Sequence, residues 1–324
     1  MPDWAGLSGT DTSTRYRLMA ERGVGGVSPT YERLCFGVAG DAEVLARLDE
    51  LSPPKRQPNL LLGAVRFLGG PVSDYPQFRD WVLGHWTELS ATMRARSTQT
   101  NEARRCATLL PVLAALPQPL ALLEVGASAG LCLYPDRYAY RYATERGEQV
   151  VGDSSVELRC QVSGPVPLPD ALPDVVWRAG LDLNPLDVRD DEDVRWLESL
   201  IWPEQTDRFA LLRGAVEIAR AEPPRLVTGD LLRDLPALAR QAPSDATLVV
   251  FHSAVLAYVD SAGQHAFTDL MSDLDACWVS NEAPGVVPGT AIDTGEASRF
   301  VLARDGAPLA LTGQHGHTID WLSP

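Results

Sequence analysis

From residue 119 onward the sequence repeats one device. A short unbroken apolar run gives way to a stretch with helical spacing, and then another apolar run begins. The runs are Leu120–Val125, Asp174–Ala179, Arg225–Thr228, Thr247–Phe251 and Cys277–Ser280. Helical patterns fall at 190–201, 203–221, 231–242 and 263–275. A strand that is apolar on both faces has no solvent side, so it belongs inside a parallel sheet covered by helices. The C-terminal part differs. Phe300–Ala303, the Asp305-Gly306 turn and Leu309–Leu311 predict a β-hairpin, and Pro308 restricts the second arm to a sheet edge or a strand start. One stretch, about 137–169, interrupts the alternation. Tyr138–Tyr142 and Val156–Val162 both alternate with period two, which predicts an inserted β-hairpin with one polar face.

Residues 1–118 predict helices. Ser28-Pro29 supplies a cap followed by proline at the first helical position, and Asp41 caps a second helix. Pro53–Pro58 is a linker, 59–68 is apolar enough for a buried helix, and 76–95 carries Phe78, Val82, Trp86, Leu89 and Met93 at amphipathic spacing. Thr100 is expected to cap the next helix, which Pro117 ends.

With 324 residues, 45% of them hydrophobic, the chain has material for a sizeable core. The net charge of −15 argues against a broad footprint for nucleic acid or for an anionic membrane surface. No apolar run reaches the length that spans a bilayer. The N-terminal residues carry no basic segment followed by an apolar one, as a signal peptide would. Cys35, Cys106, Cys132, Cys160 and Cys277 form no metal-type spacing and fit reduced thiols. Together these predict a soluble cytoplasmic protein with a small-molecule substrate and no bound metal. Lys55 is the only lysine, so carboxylates and histidines are the credible bases and arginines the anion binders.

Three strands end in an acid. Glu124 is followed by Val125-Gly126-Ala127-Ser128-Ala129-Gly130, a turn of very small residues that lets a ligand approach the backbone. Asp182 closes the second strand, within Gly180–Pro185, where a carboxylate can bind both hydroxyls of a ribose. Asp230 follows the third, in Val227–Leu231, suited to an exocyclic amine. The three elements resemble the first motifs of class I S-adenosylmethionine-dependent methyltransferases. The whole chain is also similar to an uncharacterised bacterial family with a core of that type. Gln57–Leu62, Thr98–Glu102, the 122–131 segment, Gly180–Asp187, Trp202–Gln205 and Val250–Tyr258 carry that likeness.

The resemblance implies a Rossmann-like, seven-stranded methyltransferase-type α/β core over 119–324, preceded by a helical region over 1–118. It implies S-adenosylmethionine as cofactor, held by Glu124, Gly126, Ser128, Gly130, Asp182, Asn184, Asp230 and Leu231. Two departures stand out. Ser128 occupies the place of the motif's central glycine. Some 58 residues separate Glu124 from Asp182, against about 20 in a plain βαβ unit, and Pro135 interrupts the first crossover helix early.

In those enzymes the end of the fourth strand faces the transferred methyl group, which makes His252 the expected general base or orienting residue. Glu282, after the fifth strand, is a second candidate acid/base group. Gln99, Asn101 and Tyr258 are expected to contact substrate. His315 and His317 would share one face if they lay on a strand. The expected function is small-molecule methyl transfer. One alternative keeps the fold but performs displacement, cyclisation, elimination or hydrolysis through His252 and Glu282. Another is a non-catalytic binding or scaffold subunit, in which the helical region offers a face for a homo-oligomer or heteromer.

Overall fold

A computed structural model describes residues 10–99, 101–294 and 299–322. The cap expected at Thr100 lies outside them. In chain order the helices begin with α1 (Thr12–Leu18), α2 (Pro29–Ala39), α3 (Ala42–Asp49), α4 (Pro58–Phe67), α5 (Tyr75–Gly84), α6 (Trp86–Ala95) and α7 (Cys106–Ala114). The strands β1 (Leu120–Val125), β2 (Ala139–Thr144), β3 (Gly147–Val151), β4 (Glu157–Ser163) and β5 (Val175–Asp182) follow. After them come α8 (Asp191–Leu200), α9 (Thr206–Ala221), β6 (Arg225–Thr228), α10 (Leu235–Ala239), β7 (Thr247–Ser253), α11 (Ser261–Asp273) and β8 (Cys277–Glu282). The chain closes with β9 (Arg299–Arg304), β10 (Ala307–Gly313) and β11 (Thr318–Trp321). Among the described residues no helix is long and apolar enough to cross a membrane.

The chain divides into two compact units, Met1–Thr100 with Asp190–Ala210, and Asn101–Arg189 with Leu211–Pro324. The first is helical. Ser28 and Asp41 cap α2 and α3 through the amides of Tyr31 and of Glu43 and Val44. The single amphipathic helix expected over 76–95 is two, α5 and α6. The break falls at Gly84 and His85, where His85 has a φ of −113° and a ψ of 18°, outside the helical region. α8 packs on α4: the space beside Gly63 is taken by Leu200, and Phe67 meets Trp196 edge-on at 5.5 Å.

The second unit is built on one mixed sheet, in the order β3-β2-β4-β11-β10-β9-β8-β7-β1-β5-β6. The expected sheet of seven strands is therefore corrected to eleven. The reason lies at β4 and β11, which pair in parallel and join the inserted strands to the C-terminal ones. The insertion itself is more than a hairpin. β2 and β3 form the antiparallel pair, and β4 returns to the other edge of β2, so Tyr140 and Leu158 sit in parallel register. This excursion, rather than a helix, makes the crossover from β1 to β5. Tyr138, Tyr140 and Tyr142 are wholly buried, and their hydroxyls donate to the carbonyls of Leu131, Pro135 and Ala107.

β6, β5, β1, β7 and β8 run parallel, and the chain leaves β1 first to one side and later to the other. On one face Leu123, Val125, Ala179, Leu181, Val250 and Trp278 meet Leu235 and Leu238 of α10 and Phe267 and Met271 of α11. Each large apolar side chain of this kind contributes roughly 1.5–3 kcal/mol on burial. The Asp305-Gly306 hairpin forms as expected, with φ of 51° and 76° at the two turn residues. Pro308 sits at the start of β10, before its pairing with β11 begins at Ala310.

Candidate functional site

The carboxyl end of β1 is the centre of the sheet's parallel part. Glu124 lies in register with Gly180 of β5 and Phe251 of β7. Its carboxyl is buried, and Oε2 has no hydrogen-bond partner. Burial pushes its pKa well above the ordinary value. The neighbouring Cys132 and Asp182 add to the rise, and Arg105 opposes it. In the turn that follows, Gly126, Ser128 and Gly130 all adopt left-handed backbone, with φ of 70°, 51° and 74°. Every second position is thus one that glycine fills without strain, and Ser128 occupies the middle one at a cost of about 1 kcal/mol. The Ser128 hydroxyl is buried without a partner.

Four of the turn's amides are already used. Gly126 and Ala127 donate to the carbonyl of Leu181, Ser128 donates to Asp182 Oδ2 at 2.8 Å, and Gly130 donates to the carbonyl of Ala127. Asn101 braces both sides of the turn, donating to the carbonyl of Ala127 at 2.7 Å and accepting from the amide of Leu131 at 2.9 Å. The space a Cβ on Gly126 would need belongs to Val255, whose Cγ2 would lie 2.3 Å away. At Gly130 the space is taken by Pro224, Leu133 and Leu226. The unpaired side-chain atoms beside the turn, Glu124 Oε2 and Ser128 Oγ, are both buried.

The second acid, Asp182, also accepts from the amide of Asn184 at 2.8 Å, so both its oxygens brace loops. Asp230 accepts from the amides of Leu232 and Arg233, closing the turn after β6. Asn184 is exposed, and Leu231 is half-buried against the apolar core. Glu124, Asp182 and Asp230 thus stand at the carboxyl ends of three neighbouring strands, β1, β5 and β6.

On the opposite face of the sheet, three side chains of β7 and β8 form a relay. The Trp278 indole donates to His252 Nε2 at 3.0 Å, and His252 Nδ1 lies 2.7 Å from Glu282 Oε1. An indole N–H only donates, so Nε2 accepts, and the ring's proton is on Nδ1, directed at the carboxylate. Glu282 Oε1 also accepts the amides of Val255 and Leu256. Oε2 is buried without a partner. His252 is 0% exposed with both nitrogens engaged. Both ring nitrogens are thus taken up within the relay.

The remaining expected residues separate. Tyr258 follows β7 in a short turn and is 66% exposed. Gln99 belongs to the helical unit, while Asn101 belongs to the sheet unit. His315 and His317 lie in the β10–β11 turn instead of on a strand, and His315 Nδ1 is 3.8 Å from Glu102 Oε2. Among the described residues no group of three His, Cys, Asp or Glu side chains is arranged to hold a metal ion.

Three contributors escaped the sequence: Trp278, Val255 and Arg105. Trp278 was legible in principle, because period two along β8 puts it on the face of Ser280 and Glu282. Val255 and Arg105 act across distant segments and left no local pattern. No curated protein and no solved structure matches the chain. The family model described as an uncharacterized protein conserved in bacteria (DUF2332) matches residues 13–321, and the chain belongs to that family.

Proposed function

We propose that the chain is an S-adenosylmethionine-dependent methyltransferase acting on a small molecule. The observation that carries this reading is Glu124, a buried acid with an unpartnered oxygen at the strand end where the parallel strand order reverses. Ligands of open α/β sheets bind outside the carboxyl ends at such a point. Ser128 supports it, because a strained backbone and an orphaned hydroxyl together sacrifice stability that a purely structural turn would keep. Ser128 Oγ and the Glu124 carboxyl, which an adjacent ammonium would draw toward its charged form, fit a ligand whose nearest group is cationic.

S-adenosylmethionine, when bound, supplies an electrophilic methyl group. Glu124 and Ser128 would hold its amino-acid end, and Asp182, Asn184, Asp230 and Leu231 its nucleoside end. Gly126 and Gly130 serve the turn's own packing. Glu282, fixed by His252 and Trp278, is the candidate to orient the acceptor or take its proton. Alignment of the reacting groups is most of what such a displacement needs.

Titration calorimetry with S-adenosylhomocysteine tests this. The expected result is saturable heat that is lost in Glu124→Ala. No heat at millimolar ligand overturns it. In that case the second reading, non-methyl-transfer chemistry on the same fold, gains from Val255 closing over Gly126 and from the four turn amides already bonded.

A further inference from the structure

Arg105 sits just before α7 and is 5% exposed. It donates from Nε to the carbonyl of Gln314 at 3.0 Å and from Nη1 to the carbonyl of Ser253 at 2.9 Å. Those two bonds tie it to the β10–β11 turn and to the carboxyl end of β7. They leave Nη2 without a hydrogen bond. Unlike Glu124 Oε2, Nη2 is not among the polar atoms sealed from solvent. Arg105 also makes no ion pair among the described residues.

Arg178, a comparably buried arginine of the same unit, shows the usual solution. Its Nη1 lies 2.9 Å from Asp136 Oδ1, and Glu222 is a further 3.8 Å partner. Arginine keeps its proton when buried, so Arg105 carries a full charge out of bulk water, and its hydrogen bonds go to carbonyls alone. Glu124 feels this charge: burial raises the carboxyl's pKa, and Arg105 opposes that rise.

We propose that Arg105 anchors an anionic group, a carboxylate or a phosphate, on a ligand bound at the carboxyl end of β7. Nη1 and Nη2 form one edge of the guanidinium fork, the geometry that takes two oxygens of one anion. A carboxylate could belong to an amino-acid-like cofactor or to the substrate. The two sources share the same contact with Arg105.

The test uses the full chain labelled with 15N-arginine, titrated with sodium acetate and separately with sodium phosphate, at ionic strength held constant with chloride. The Arg105 side-chain resonance, assigned by its disappearance in Arg105→Lys, is followed together with the melting temperature. Expected is a saturable shift with at least one of the two anions and a rise in melting temperature. In Arg105→Lys, which keeps the charge but loses the fork, the melting response should need at least five-fold more anion. In Arg105→Met it should vanish. No saturable shift up to 50 mM, or an unchanged melting response in Arg105→Lys, overturns the proposal. If Arg105→Met does not fold, the comparison with Arg105→Lys decides alone.

S-adenosylhomocysteine then separates the sources. Competition with acetate assigns the anion to a cofactor carboxylate, and simultaneous binding assigns it to the substrate. Acetate binding without S-adenosylhomocysteine binding keeps the anion site and removes methyl transfer.

Discussion

Glu124 gives the clearest pH signature of any single residue. Its carboxyl titrates near 4.5 when exposed and well above that in the fold, because burial disfavours the charge. The unfolded chain therefore releases this proton first as pH rises. The neutral carboxyl's contribution is fully present below the unfolded value and is lost as pH climbs through the folded one. Glu124→Gln cannot ionise and escapes that loss. Melting temperatures of the two proteins should diverge in favour of the variant as pH rises above the ordinary carboxylate value, as scanning calorimetry would record. Parallel curves would mean that Glu124 is already ionised. The position of Glu124 was legible in the sequence, since an apolar strand ending in an acid and a small-residue turn is a local pattern. What fills the space beside the turn was not. Val255 reaches Gly126 from well over a hundred residues away, and no spacing rule connects them.

Between elements, β7 and β8 are joined by more than their ladder. Trp278, His252 and Glu282 pass one hydrogen-bond chain across the two strands, and Phe267 of α11 meets both rings edge-on at 5.5 and 5.9 Å. Trp278→Phe keeps the aromatic packing but removes the donor to His252 Nε2. The cost should be about 2 kcal/mol, the usual penalty for a buried acceptor left unsatisfied, measured by denaturant unfolding. A loss under about 0.5 kcal/mol would show that the indole bond is not made. Strand existence was readable from the apolar runs because each is local. Strand partnership was less so. The insertion was expected as a simple hairpin, yet the short Gly147–Val151 strand takes one edge of β2 and leaves β4 the other. Alternation specifies which face a strand buries and is silent on which neighbour it chooses.

At the scale of the molecule, the insertion completes the sheet. Without residues 137–169, β11 would lose β4 and present an open row of backbone donors and acceptors. A chain carrying that deletion should self-associate in size-exclusion chromatography with light scattering, and adding Thr318→Lys on β11 should reduce the effect. A monodisperse deletion protein would show that the edge is covered in some other way. The five parallel strands were foreseeable because their apolar runs and intervening helices follow a periodic rule. The union with the C-terminal strands through β4 and β11 was not, because it joins segments that lie about 157 residues apart at Ser163 and Asp320. The helical unit has a comparable long-range dependence, since Asp190–Ala210 completes a unit that begins with Met1–Thr100. A ribosome adding roughly 5–20 residues per second finishes residue 100 about 5–20 s before residue 210. Through that interval α4 waits for α8, with Gly63 and Phe67 uncovered by Leu200 and Trp196. The nascent chain therefore carries an open apolar seam midway through its own synthesis, until Leu200 and Trp196 emerge to cover it.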